Sequence, residues 1–101
     1  MPTQRPEFQE LYRRHVQLVV EGDRTAVLAD MVNIPLIFEG VTVPRGEIDA
    51  FDIVDMRPEG DTWVGETVYD TPRGRIGLRS TWELRDGSWK AASLENFPVT
   101  S

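Results

Sequence analysis

The chain has 101 residues, 40% of them apolar, with seventeen acidic side chains against eleven basic ones, a formal net charge of −6 and no cysteine. That length suits one domain, expected over 1–101, with enough buried surface for one core. The lack of thiols excludes disulfides, thiolate nucleophiles and sulfur-ligated zinc. The negative charge opposes nucleic acid and anionic membranes, and no run reaches the ~20 apolar residues of a membrane span.

The opening residues Met1 to Pro6 carry no basic segment followed by an apolar one, so no signal peptide is read and a cytoplasmic location is expected. Phe8, Leu11, Tyr12, His15, Leu18 and Val19 then recur at three- and four-residue spacing, which predicts a helix from Pro6 to Glu21. The single histidine falls on its apolar stripe, where an imidazole must find a partner or stay neutral. Gly22 suits the helix end and Asp23 the cap of a second helix, which carries Val27, Leu28, Met31 and Val32 and is finished by Asn33, ahead of Pro35.

Leu36 to Glu39 alternates as a short strand would, with Leu36 and Phe38 on one face. Val41 to Gly46 is turn-rich, and Glu47 to Phe51 is read as a helical turn merging into a strand over Asp52 to Arg57. Beyond it, Pro58-Glu-Gly-Asp61, Thr71-Pro-Arg-Gly74 and Arg85-Asp-Gly-Ser88 are turn clusters flanked by β-branched and aromatic residues. They predict four strands joined by three hairpins. Helices first and an antiparallel meander afterwards make an α+β fold, with the helices packed on one face of the sheet.

Two stretches carry a resemblance to a known family. His15-Val-Gln-Leu-Val-Val-Glu-Gly-Asp23 is similar to the helix-ending Gly-Asp corner of the nuclear transport factor 2-like superfamily. Ser80-Thr-Trp-Glu-Leu-Arg-Asp-Gly-Ser-Trp89 resembles its last hairpin. The superfamily includes ketosteroid isomerases, SnoaL-like cyclases, limonene epoxide hydrolases and scytalone dehydratase. The resemblance implies a cone-shaped, cystatin-like α+β fold with its third helix shortened. It places His15 where ketosteroid isomerases hold an oxyanion-binding tyrosine, Glu39 where they hold a general-base aspartate, and Ser80 near their second, protonated carboxylic acid. None of the three positions keeps the family's residue, which argues against steroid isomerisation itself.

Strand parity puts Leu78, Ser80, Trp82 and Leu84 on one face, Trp63, Gly65, Thr67 and Tyr69 on another, and Trp89, Ala91, Ser93, Glu95 and Phe97 on a third. An aromatic-lined cavity is expected, with Glu39 as general base, His15 as acid or oxyanion donor, and Tyr12, Trp63, Tyr69, Ser80 and Trp82 contacting the substrate. The function expected is cofactor-independent isomerase, cyclase or epoxide-hydrolase chemistry on a small hydrophobic or polyketide-like molecule, without a metal. The alternative is a non-catalytic ligand-binding or dimerisation domain of the same fold. A homodimer through the sheet is expected under both, driven by exposed Val, Trp and Tyr on the meander. Each residue also has a plainer reading: His15 as a core histidine bonded to a carbonyl or carboxylate, Glu39 as a solvated strand end, Ser80 as an ordinary strand residue, and the aromatics as core.

Overall fold

The first helix, α1 (Pro6–Glu21), ends as its glycine predicts. Gly22 takes φ +78°, the Gly22 N–H donates to the carbonyl of Val19, and the Asp23 N–H reaches that of Leu18, a Schellman closure that satisfies the last carbonyls. The Asp23 side chain then accepts from the Ala26 N–H and starts α2 (Arg24–Ala29), so two helices meet at one tight corner. The computed structural model describes residues 6–44 and 46–99. The reading of Met1 to Arg5 as lacking a signal sequence lies outside them, as does Arg45 of the turn-rich segment.

After α2 the chain departs from expectation. Asp30 to Val32 runs along the edge of the sheet, with Met31 bridged in parallel to Ala91, and Leu36–Phe38 forms a 3₁₀ turn rather than a strand. The reason is the lack of a partner: the edge beside Ala91 is taken by the Asp30 and Val32 backbone, which bonds it at 2.8 and 2.9 Å. The next residues therefore close on themselves, Phe38 N–H to Pro35 carbonyl and Glu39 N–H to Leu36 carbonyl. Ile37 is buried and Leu36 is exposed, so the expected alternation does not hold.

Four strands follow as an antiparallel meander in the order β1-β2-β3-β4: β1 (Ala50–Glu59), β2 (Thr62–Thr71), β3 (Gly74–Arg85) and β4 (Ser88–Asn96). The three hairpins fall at the predicted turn clusters. The helical turn expected over Glu47 to Phe51 is absent. β2 is long enough to pair Ala50 with Asp70, and the Asp49 N–H already donates to the Asp70 carbonyl, so the ladder draws those residues into extended geometry.

Two register shifts decide which side chains face the helices. One falls between Ile53 and Asp55 on β1, leaving Val54 as the extra residue. The other, at Thr81 and Trp82 of β3, leaves Ala92 of β4 unpaired. The second corrects the parity expected for the last strand. Trp89 and Ala91 face inward, but beyond Ala92 it is Leu94 and Asn96 that pair with the inward Ser80 and Leu78, while Ser93 and Glu95 turn outward.

The core lies between α1 and the inner face of the sheet. Phe8, Tyr12 and Val16 pack with Trp63, Tyr69, Trp82, Trp89 and Ala91. Gly65 makes the close approach possible, since a β-carbon there would overlap the Tyr12 ring. The outer face is a different surface. One charge from each strand forms a ladder, Glu95 to Arg79 at 2.9 Å, Arg79 to Glu66 at 2.6 Å and Glu66 to Arg57 at 3.3 Å. Their partners hold the Arg57 and Arg79 guanidiniums above the usual arginine range, chiefly Asp55 for Arg57 and Glu95 for Arg79. The exposed Trp and Tyr expected to drive pairing of two sheets are not there: every Trp and Tyr of the meander is buried on the inner side. No helix is long and apolar enough to cross a membrane among the described residues.

Candidate functional site

The stripe of α1 has two ends, and the C-terminal one opens on a cavity of about 390 Å³. Its floor is formed by the buried residues Tyr12, His15, Tyr69 and Ser80, and its walls by apolar residues of α1, α2, β3 and β4. The exposed residues Gly22, Arg24, Ile34, Pro35 and Gly46 make the rim. The wall at Val43 and Pro44 is pinned by Asn96, whose side chain accepts from the Thr42 N–H and donates to the Thr42 carbonyl.

His15 is 8% exposed and stands edge-on to Trp82, with ring centroids 4.9 Å apart. Its Nδ1 lies 3.0 Å from Oδ2 of Asp30, the residue that caps the end of α2 and is bonded through its carbonyl to the Ala91 N–H. A carboxylate only accepts, so Nδ1 carries the proton and Nε2 is the free nitrogen. Nε2 makes no hydrogen bond to the described residues. Since no buried side-chain nitrogen or oxygen lacks a partner among the described residues, it keeps accessible surface.

The two tyrosines differ in the same respect. The Tyr12 hydroxyl is engaged with Oγ1 of Thr67 at 2.7 Å, and burial pushes its pKa up to about 12 against the opposing pull of the hydroxyls of Thr67 and Ser80. Tyr69 is 2% exposed, and burial raises its phenol further still, with the nearby Tyr12 adding to the effect. Its hydroxyl has no partner among the described residues and, by the same reasoning, is accessible. Ser80 accepts from Nε1 of Trp82 at 2.8 Å and is spent on the core.

Of the expected site residues, the structure brings Tyr12, His15, Tyr69 and Ser80 to one cavity and leaves Glu39, Trp63 and Trp82 outside its lining. Glu39 is exposed, because coiling of Leu36–Phe38 turns the chain outward where a strand would have carried it across the sheet. The expected pairing of His15 with Glu39 is therefore not formed. Trp82 is fully buried beneath the imidazole, and Trp63 lies at the other end of α1, where it borders a separate hollow with Pro58, Leu84 and Trp89.

The residue that sequence reasoning missed is Asp30. A signal for it existed: counting outward from the Gly22-Asp23 corner, His15 is seven residues before Gly22 and Asp30 seven after Asp23, as facing residues of a helical hairpin should be. Among the described residues, no three histidine, aspartate or glutamate side chains converge in a way that could hold a metal ion. Chemically, the site offers an oriented imidazole, a free phenol and an apolar wall. Comparison with family models, with curated proteins and with solved structures gives no match.

Proposed function

We propose that the chain is a small-molecule acid–base enzyme of the nuclear transport factor 2-like kind, working without an organic cofactor, with His15 and Asp30 as its proton-transfer pair. One observation carries this reading: a carboxylate-held imidazole, its other ring nitrogen without a partner among the described residues, lines a mainly apolar cavity. The order of helical corner and antiparallel meander supports the family, as do the Gly22-Asp23 and Asp86-Gly87 turns that carry the resemblance.

In the reaction proposed, Nε2 of His15 removes a proton from a carbon next to a carbonyl. The C–H electron pair moves into the carbonyl, and the developing oxyanion accepts a hydrogen bond from the Tyr69 hydroxyl. Asp30 holds the ring and stabilises the imidazolium. Return of the proton to another carbon completes an isomerisation, and loss of a β-leaving group instead gives an elimination. Glu39, expected as the base, has no part in this scheme.

The test needs no natural substrate. In 5-nitrobenzisoxazole, removal of one C–H proton breaks the N–O bond and releases a coloured phenolate, which reports a base in an apolar site. Saturable turnover above the buffer rate is expected, falling by about 100-fold in His15→Gln and unchanged in Glu39→Gln. Turnover that survives His15→Gln, or none at all, would overturn the reading.

A further inference from the structure

The chain carries seventeen acidic residues, yet no Asp or Glu is among the described residues that line the cavity. Among the described residues the lining contains a single arginine or lysine, Arg24, exposed at the rim where α1 turns into α2. Its guanidinium enters no hydrogen bond or ion pair with the described residues, which is also true of the exposed Arg13, Arg14 and Arg73, none of which lines the cavity, whereas Arg57, Arg75, Arg79 and Arg85 are paired with carboxylates. A guanidinium without a partner among the described residues, beside a mainly apolar cavity that none of the described acids lines, in a protein of net charge −6, is positioned to meet a negative charge brought by the ligand.

We infer that the cavity takes a small apolar monocarboxylate, with its carboxylate at Arg24 on the rim and its apolar body against Tyr69 and His15. This rests on the proposed function only in using the same cavity. The charge favours the class: one guanidinium neutralises one negative charge, and among the described residues the lining offers no second fixed cation for a phosphate dianion. A volume of about 390 Å³ is at the low end for small-molecule sites, which suits a single-ring or short branched acid.

The experiment is an NMR titration of the full chain with trans-cinnamate, with cinnamamide as the uncharged match and phenyl phosphate as the dianion. Cinnamate is expected to shift the amides of cavity residues and to bind about fivefold tighter than the amide at low salt. In Arg24→Gln that preference should fall to about one, with the amide's affinity retained. Arg24→Lys should restore part of it. Equal binding of acid and amide by the native chain, a preference that persists in Arg24→Gln, or tighter binding of phenyl phosphate would overturn the inference. Failure of all three ligands alongside intact benzisoxazole turnover would overturn it while leaving the base at His15 standing. Failure of both assays would remove the two readings together.

Discussion

One helix face meets two different environments. At its N-terminal end Phe8, fully buried, is enclosed by Trp63, Trp82 and Trp89 at centroid distances of 5.0, 5.8 and 5.5 Å. Two turns later the same face carries His15, and the sheet opposite supplies Leu78, Ser80 and Leu94, side chains too short to fill the gap between α1, α2 and the 3₁₀ turn. Apolar periodicity selects the face a helix buries. Whether that face closes depends on the bulk arriving from the other layer. The closed end anchors α1, and the open end leaves a nitrogen and a hydroxyl free.

Breaking the closed end should have the largest effect. Phe8→Ala removes a fully buried ring from among three tryptophans and is expected to cost about 3–5 kcal/mol in urea unfolding. Alkaline titration comes next. An unfolded tyrosine loses its proton near pH 10, whereas Tyr12 in the fold holds it to about 12. The stabilisation is therefore complete below pH 10 and lost as pH rises towards 12. The native chain should lose roughly 3 kcal/mol more over that window than Tyr12→Phe.

Gly65→Ala lies between the two ends and forces the Tyr12 ring off the sheet, at about 1–3 kcal/mol. The smallest stability change sharpens the comparison most. Tyr69→Phe deletes a hydroxyl that keeps accessible surface and has no partner among the described residues, so thermal unfolding should move by less than about 0.5 kcal/mol or shift upward, while benzisoxazole turnover weakens. Tyr12→Phe, which breaks the bond to Thr67, should instead lose about 1 kcal/mol.

Much of the fold was legible. The bounds of α1, the Gly22-Asp23 corner and all three hairpins follow from apolar spacing and from glycines at positive φ, which are local signals. The site was legible in part. Tyr12, His15, Tyr69 and Ser80 reach one cavity because helical spacing and strand parity operate over a few residues. Glu39 was misplaced because alternation over Leu36 to Glu39 says nothing about whether a strand edge is vacant. Glu95 was misplaced because nothing local announces the unpaired Ala92. Asp30 was legible only by counting from the corner.

By itself the sequence determined an α+β chain with a histidine on the buried stripe of its first helix, since residue spacing dictates which side chains share a face. Tertiary structure alone decided that this histidine is held by Asp30 and not Glu39, and that, among the described residues, the Tyr69 hydroxyl and the Arg24 guanidinium at the rim have no partner while the Tyr12 hydroxyl has one. Those outcomes depend on which backbone edge is already bonded and which side chains arrive from the opposite layer, and neither is encoded within any one segment.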